Sequence, residues 1–293
     1  MRYVLENDTL RVEIDSFGAE LKSVKRKSDD KEYMWYADKK YWGRTSPVLF
    51  PFVGNCRNKE YRYGGKTYAI GQHGFARDME HTMESQTADT IWFSLHSNEE
   101  TMEKYPFAFV LKIGYNLTGN ELKVMWKVEN PDTKTLYFSI GAHPAFLCPF
   151  NGEENKLGYG LQFAGLKEVH HHGNTPDTGL AVMSEDIVIP LEDEKVYFTP
   201  GFFDRCTYMV EGKQTGEVSL VTPDGKPYVT MDFDAPLFAI WSPEGKDAPF
   251  VCIEPWYGRC DADDFEGTLE ERAYENAVEP EQVFEASYSI HYL

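Results

Sequence analysis

The sequence lacks the features that would indicate a secreted or membrane-bound protein. Its five cysteines, Cys56, Cys148, Cys206, Cys252 and Cys260, are scattered, odd in number and form no CxxC pair. This pattern favours reduced thiols over a disulfide framework, and the spacing does not indicate a structural zinc site. No apolar run approaches the roughly 20 residues of a membrane span, and no signal-peptide core follows Met1. We therefore expect a cytoplasmic protein with no membrane partner.

Positive charge is also scarce. The chain carries 29 lysine and arginine residues against 48 acidic ones, a formal net charge of -19. Such a surface repels phosphate backbones, which argues against a nucleic-acid partner and promotes solubility. The expected partner is a small molecule, and a monomer or a homodimer is compatible with the sequence.

Helical periodicity is rare, and only Glu99–Tyr105 and Leu269–Ala277 are predicted as short helices. Most of the chain consists of short alternating or β-branched runs separated by turn residues, which is typical of an all-β sandwich or barrel. The segment Asn151–Asp186 is expected to form long loops. No linker or fixed repeat divides the chain, so we predict one large domain over residues 1–293. The predicted strands are Thr9–Asp15, Thr90–His96, Phe107–Leu117, Glu121–Glu129, Thr135–Ile140, Cys206–Val210, Glu217–Thr222, Tyr228–Phe233, Leu237–Trp241, Phe250–Glu254 and Val283–His291.

Two titratable residues stand at or near the ends of predicted strands. His143 follows the strand that ends at Ile140 and precedes Pro144, which biases it towards extended geometry. An imidazole there can act as a general acid near neutral pH, or it can simply hydrogen-bond a turn carbonyl. Glu254 ends an apolar run, where burial raises the pKa of a carboxylate and makes it a stronger base. The competing interpretation for Glu254 is a structural salt bridge.

Other polar and aromatic residues are weaker candidates for ligand binding. His73 precedes Gly74, which allows a sharp turn or close approach of a ligand. Arg57 and Arg77 can bind sugar hydroxyls or clamp a phosphate, although most arginines serve only at the surface. Asp204 is either a hydroxyl acceptor or a loop carboxylate.

Aromatic and histidine-rich positions complete the candidates. Trp256, with Trp42 and Trp241, offers faces for stacking a sugar, although core packing explains most buried tryptophans. The run His170–His172 is not predicted to bind a metal, because adjacent side chains point in different directions and no third ligand is evident.

Taken together, these segments resemble the aldose 1-epimerase (galactose mutarotase-like) family, in particular its bacterial branch typified by the lactose-operon X protein. The resemblance covers nearly the whole chain. It depends on an ordered set of four motifs: Asn55-Cys56-Arg57, His73-Gly74-Phe75-Ala76-Arg77, Gly141-Ala142-His143-Pro144 and Ile253-Glu254-Pro255-Trp256.

The resemblance implies a galactose mutarotase-like β-supersandwich with a sugar cleft on one face. By motif, Glu254 matches the general base, His143 the general acid, His73 the second active-site histidine and Arg57 the substrate-binding arginine. Asp204 falls near a hydroxyl-binding aspartate. The implied reaction opens and recloses the hemiacetal of a free hexose, so that the α and β anomers interconvert without metal or cofactor.

Three alternatives remain open from the sequence. The motif around His73 differs from the His-Gly-Gly usual in galactose mutarotases and is similar to that of hexose-6-phosphate epimerases, in which case Arg57 and Arg77 would bind phosphate. A non-catalytic carbohydrate-binding or sensing protein on the same fold needs no facing acid–base pair. A glycoside hydrolase generally needs two carboxylates, and only Glu254 lies in a suitable setting.

Overall fold

The computed structural model describes residues 1–205 and 207–293, so the first position of the predicted strand Cys206–Val210 lies outside the described residues. One short helix, α1 (Glu99–Lys104), and three 3₁₀ turns (Arg57–Lys59, Ala76–Asp78 and Leu269–Glu271) interrupt an otherwise β-rich chain in this part. The strands are β1 (Arg2–Glu6), β2 (Leu10–Asp15), β3 (Glu20–Arg26), β4 (Lys31–Glu32), β5 (Val48–Leu49), β6 (Glu60–Tyr63), β7 (Lys66–Ala69), β8 (Thr82–Gln86), β9 (Thr90–His96), β10 (Val110–Thr118), β11 (Glu121–Glu129), β12 (Leu136–Phe138), β13 (Ile140–Ala142), β14 (Ala145–Leu147), β15 (Gly160–Phe163), β16 (Glu168–Asn174), β17 (Ala181–Pro190), β18 (Lys195–Tyr197), β19 (Tyr208–Glu211), β20 (Glu217–Val221), β21 (Pro227–Phe233), β22 (Leu237–Trp241), β23 (Phe250–Tyr257), β24 (Asn276–Val278) and β25 (Val283–Tyr292).

Two large antiparallel sheets form the β-sandwich. One has the strand order β18-β15-β20-β21-β25-β11-β10-β9-β8. The other has the order β17-β16-β19-β22-β23-β13-β5, with β14 also paired to β23. Smaller sheets, β1 to β4, β12 with β24, and β6 with β7, lie outside these two orders. The predicted all-β sandwich is confirmed.

Alternation places the core along the strands of the first sheet. In β11, Leu122, Val124, Trp126 and Val128 are buried while the residues between them are partly or fully exposed. Period-two burial of this kind is expected for a strand with one face on the core. By contrast, β23 is buried at every position but its last, because it lies between β22 and the pair β13 and β14. A polar residue on β23 is therefore withdrawn from solvent.

Most predicted elements agree with the structure to within a few residues, but two expectations were wrong. The predicted helix Leu269–Ala277 is a single 3₁₀ turn that leads into β24, because Asn276–Val278 pairs with β12. The segment Asn151–Asp186, expected as loops, contains β15, β16 and the start of β17. Within residues 1–205 and 207–293, no helix has the length and apolar character needed to cross a membrane.

Candidate active site

His143 lies between β13 and β14, both of which pair with β23, the strand that carries Glu254. On one side of His143 Gly141 pairs with Trp256, and on the other Ala145 pairs with Cys252. His143 and Glu254 are midway between these two pairs on opposing strands, so the common register places them opposite each other. Nε2 of His143 lies 3.4 Å from Oε2 of Glu254. Two residues far apart in the sequence thus become neighbours.

Glu254 is a buried carboxyl group without a regular hydrogen bond. It is 1% exposed, and neither carboxylate oxygen has a hydrogen-bond partner among the described residues. Burial raises the pKa of Glu254 well above its ordinary value, and the neighbouring Trp256 acts in the opposite direction. Leaving such a group unpaired in a protein interior is energetically costly. Buried, unpaired carboxyl groups are typical of functional sites.

His143 is held in an aromatic cage. Its ring stacks on Trp42 with the centroids 4.6 Å apart and meets the edge of Trp241 at 5.2 Å. Burial, helped by the positive charge of Arg77, lowers the pKa of His143. Its Nδ1 atom has no hydrogen-bond partner among the described residues. The cage fixes the ring orientation while leaving its nitrogens available for proton transfer.

His73 is fixed in one tautomer by the backbone of Gly54. The N–H of Gly54 donates to Nδ1 of His73 at 3.0 Å, and the N–H of His73 donates to the carbonyl of Gly54 at 2.8 Å. Because Nδ1 accepts, neutral His73 carries its proton on Nε2 and presents a donor. Burial lowers the pKa of His73 well below its ordinary value, which keeps it neutral. Its ring centroid lies 5.7 Å from that of His143.

The loop that carries His73 packs so closely against the backbone of Phe50 that position 74 requires glycine. Gly74 has φ +68°, and a Cβ atom there would lie 2.3 Å from the carbonyl oxygen of Phe50. His73 itself has φ +63°, a conformation that non-glycine residues adopt rarely. Close packing of this loop against Phe50 therefore sets the position of His73.

Arg77 lines the same cleft as His143 and Glu254. It follows His73 on the 3₁₀ turn Ala76–Asp78, and its Nη2 donates to the carbonyl of Gln72 at 2.7 Å. Its side chain is 13% exposed, and Nε has no hydrogen-bond partner among the described residues. Burial, followed by repulsion from Arg44, lowers the pKa of Arg77 to about 10, so it remains charged at neutral pH.

These residues line one cleft of about 430 Å³. Trp256 is also in its wall, and its indole donates to the carbonyl of Ala142 at 3.2 Å. The ring fits because Gly141 opposes it: a Cβ there would lie 2.6 Å from Cδ1 of Trp256. Of the residues predicted from the sequence, the cleft brings together His73, Arg77, His143, Glu254 and Trp256, together with Trp42 and Trp241.

The structure does not bring Arg57 or Asp204 to this cleft. Arg57 lines a separate cavity, where its guanidinium donates to the carbonyl of Phe265 at 3.0 Å and to Glu266 at 3.2 Å. Asp204 is exposed beside another cavity and accepts from the N–H of Gly245 at 3.3 Å. Arg77, not Arg57, is thus the arginine available to a ligand in the cleft.

The polar residues that the structure adds to the cleft include Asn174, Asp177 and Glu244, none of which was a candidate from the sequence. Asn174 ends β16 and accepts from the N–H of Thr207 at 2.6 Å. Asp177 lies in the turn before β17, and Glu244 lies after β22. The only available signal was turn-forming composition, which predicts a loop and does not reveal which cleft the loop approaches.

The arrangement can transfer protons in a site largely withdrawn from water. A carboxyl and an imidazole 3.4 Å apart can act as base and acid on a ligand that bridges them. His73 and Arg77 add donors for oxygen atoms of a polar ligand. The ligand atoms of His143, Cys252 and Glu254 also lie within 4.8 Å of one another, a set able to hold a metal ion.

Comparison with known proteins agrees with this architecture. The sequence model of the aldose 1-epimerase family matches residues 1–261. The chain is 30% identical to the chromosomal LacX protein of Lactococcus lactis over 99% of both chains. A galactose mutarotase related enzyme from Lactobacillus acidophilus superposes with a TM-score of 0.94 at 37% identity, covering 100% of this chain and 97% of that one. A galactose mutarotase-like protein from Lactobacillus casei gives 0.90 at 29% identity, covering 99% of both chains. The chain therefore belongs to the aldose 1-epimerase family.

Proposed function

We propose that this protein is an aldose 1-epimerase, an isomerase that interconverts the α and β anomers of a free hexose. The observation that carries the proposal is the contact of 3.4 Å between Nε2 of His143 and Oε2 of Glu254 in the cleft. A protein that only binds or senses a carbohydrate needs donors, acceptors and stacking surfaces. It has no use for an acid–base pair buried without other partners.

Without a ligand, the surroundings favour a proton on Glu254 over one on His143, because burial raises the pKa of Glu254 and lowers that of His143. A sugar hydroxyl that donates to Glu254 stabilises the carboxylate, and a ring oxygen that accepts from His143 stabilises the imidazolium. Sugar binding therefore favours proton transfer from Glu254 to His143, which prepares the base and the acid together.

Anomer exchange then requires only proton transfers. Glu254 removes the proton from the C1 hydroxyl while His143 protonates the ring oxygen, and the C1–O5 bond breaks to give the open-chain aldehyde. Rotation about C1–C2 presents the opposite face of the carbonyl. The reverse transfers close the ring as the other anomer. Two positioned proton-transfer groups, each contributing about 10²- to 10⁴-fold, account for substantial acceleration.

The neighbouring residues orient the sugar. His73 offers its Nε2 proton to a sugar oxygen, and Arg77 offers an Nε that makes no hydrogen bond and lies 3.8 Å from Oδ2 of Asp78. Trp256 and Trp42 supply apolar surface beside the ring. Such contacts contribute by holding the substrate so that both proton transfers are geometrically accessible.

A phosphorylated hexose is a second candidate substrate, favoured by the position of Arg77. Its charge is reinforced by Arg44, which also acts on the pKa of His73 and of His143. Against this, Asp177 and Glu244 are in the same cleft and would repel a phosphate. A neutral hexose is compatible with both sets of charges, so it remains the first candidate.

The proposal is tested by NMR exchange spectroscopy or polarimetry on freshly dissolved α-glucose, α-galactose and glucose 6-phosphate. We expect accelerated exchange with the wild-type protein and a loss of at least about 100-fold in Glu254→Gln and in His143→Asn. His81→Asn is the control, since His81 is buried but does not line the cleft. No acceleration on any sugar would overturn the proposal, and selective turnover of the phosphate ester would replace the free hexose as substrate.

The cellular setting is part of the same proposal. The cysteines Cys56, Cys148, Cys252 and Cys260 are free and buried, which suits a reducing cytoplasm. We propose that the protein acts there, with no nucleic-acid or membrane partner, as a monomer or homodimer. Light scattering of the purified protein distinguishes the two oligomeric states.

A further inference from the structure

Cys252 is a buried thiol beside the acid–base pair that the proposed reaction does not use. It precedes Glu254 by two residues on β23, so both side chains are on the same face of the strand. The sulfur of Cys252, one carboxylate oxygen of Glu254 and one ring nitrogen of His143 all lie within 4.8 Å of one another. Cys252 is fully buried and is not part of the cleft wall.

The spacing of these atoms approaches that of a tetrahedral metal site. With metal–ligand bonds of roughly 2.0–2.3 Å, the ligand atoms of a tetrahedral zinc site are about 3.3–3.8 Å apart. The 3.4 Å between His143 Nε2 and Glu254 Oε2 already matches one edge of such a tetrahedron. The other two edges, each no longer than 4.8 Å, need to shorten by at most about 1.0–1.5 Å. A larger ion with longer bonds requires less movement.

The charges also fit a divalent cation. The ion displaces the protons of the Cys252 thiol and the Glu254 carboxyl group, which pass to solvent. The resulting thiolate and carboxylate together neutralise the charge of the ion, so that the buried complex has no net charge. Both oxygens of Glu254, which is 99% buried, lack a hydrogen-bond partner among the described residues and are free to coordinate. A set of sulfur, nitrogen and oxygen donors selects zinc or cadmium over magnesium or calcium, which prefer oxygen alone.

We propose that His143, Cys252 and Glu254 form a binding site for Zn²⁺ or Cd²⁺, and that the bound ion inhibits the enzyme. The ion occupies the electron pairs of His143 and Glu254 that proton transfer requires, so it acts as an inhibitor and not as a cofactor. Metal binding itself does not depend on the function proposed above. Inhibition by the bound ion makes the rate of anomer exchange depend on metal availability, although the proposed reaction itself uses no metal.

Binding is tested by titrating chelator-treated protein with Cd²⁺ and following thiolate-to-cadmium charge-transfer absorption together with calorimetry. We expect one ion per chain and a charge-transfer band in the wild-type protein. Cys252→Ser should lose the band and bind at least about tenfold more weakly. Cys148→Ser is the matched control, because Cys148 is equally buried but outside the cluster, and it should bind as the wild type does.

Inhibition gives a second and separate readout. Zn²⁺ should slow anomer exchange by the wild-type protein and by Cys148→Ser, and EDTA should restore it. Cys252→Ser, and Cys252→Ala if the serine variant folds poorly, should retain exchange and become insensitive to Zn²⁺. Absence of the wild-type charge-transfer band, or equal Cd²⁺ affinity in the Cys252 variants, would overturn the inference. Cd²⁺ binding without any exchange activity would instead refute only the proposed function.

Discussion

Two buried polar regions of this molecule handle charge in opposite ways. At the floor of the cleft, the carboxyl group of Glu254 and Nδ1 of His143 have no hydrogen-bond partners among the described residues. In the separate cavity that Arg57 also lines, Arg272 is 1% exposed, yet all three of its guanidinium nitrogens donate hydrogen bonds. The first region leaves its titratable groups free for a ligand, whereas in the second the buried cation is paired at every nitrogen.

The Arg272 cluster connects segments that surround the cleft. Arg272 donates to Asp261 at 2.7 Å and to Glu275 at 2.8 Å. Asp261 in turn accepts from the N–H of Arg57 at 2.8 Å, which fixes the turn after Asn55. The carbonyl of Arg259 accepts from Arg272 at 2.8 Å. These buried ion pairs hold the backbone in place. Their role is to position segments of the chain, and they take no part in the proposed reaction.

Removing the cation of the paired region should have the largest effect on stability. Arg272→Met leaves Asp261 and Glu275 buried without their partner, a change that typically destabilises a protein by about 3–5 kcal/mol. Urea denaturation followed by tryptophan fluorescence measures the loss. Lys104→Met, which breaks an exposed ion pair with Glu100, is the control and should change stability by less than about 1 kcal/mol. Equal stability of the two variants would show that the cluster does not hold the fold.

In the region of Glu254 and His143, a substitution should change stability in the opposite direction. Glu254→Gln removes a buried ionisable group and should stabilise the folded protein while abolishing anomer exchange. Burial raises the pKa of Glu254 in the folded state, so its contribution to stability is present below the ordinary pKa of 4.5 and is lost as pH rises towards the folded-state pKa. The advantage of the variant should therefore grow with pH, by at most about 1.4 kcal/mol per unit.

The measurement is urea denaturation of both proteins between pH 5 and pH 8 in the presence of EDTA. Glu244→Gln is the control, since Glu244 lies in the same cleft but is partly exposed. Burial raises the pKa of Glu244 less than that of Glu254, so the stability of this variant relative to the wild type should change less with pH. A variant that is less stable than the wild type at every pH would mean that Glu254 makes a stabilising interaction in the folded protein.

The contrast between the two regions also shows how far sequence reasoning reaches. Alternating runs such as Glu121–Glu129 predicted their strands because one face is buried and the other is not. The motifs around His143 and Glu254 indicated chemistry, since a titratable residue beside an apolar run is unusual. Their contact, however, depends on the register of β13 and β14 against β23, which joins segments distant in the chain. Local pattern does not determine such a register.

Local sequence pattern also does not determine which of the two candidate arginines, Arg57 or Arg77, faces the cleft. Arg57 and Arg77 each end one of the motifs that resemble the family, and the resemblance selected Arg57 for substrate binding. In the structure Asn58 adopts φ +59° and the Arg57 side chain bonds to Phe265 and Glu266 in a separate cavity. Which guanidinium faces the cleft follows from these tertiary contacts. A motif records residue identity but not side-chain direction.

Arg77→Gln should have an intermediate effect on catalysis. Losing a charged donor in the cleft should raise the KM for a free hexose about tenfold, with a smaller change in kcat, because in the proposed mechanism Arg77 binds substrate and transfers no proton. If glucose 6-phosphate is turned over, its KM should rise further, since a charge-assisted contact is lost. Steady-state NMR exchange with both sugars separates these cases. A loss confined to kcat would place Arg77 among the proton-transfer groups instead.

Arg57→Gln and Asp204→Asn should have the smallest effects on anomer exchange. They test whether all residues that bind the sugar or transfer protons lie in the cleft. Both side chains are held by groups outside it, Arg57 by Phe265 and Glu266 and Asp204 by Gly245. We expect kcat and KM for anomer exchange to change less than about threefold, since surface substitutions away from a site usually cost under about 0.5 kcal/mol. A KM increase comparable to that of Arg77→Gln would show that the loop carrying Arg57 moves into the cleft when sugar binds. The paired and unpaired regions would then be coupled, because Asp261 holds the same turn through the N–H of Arg57.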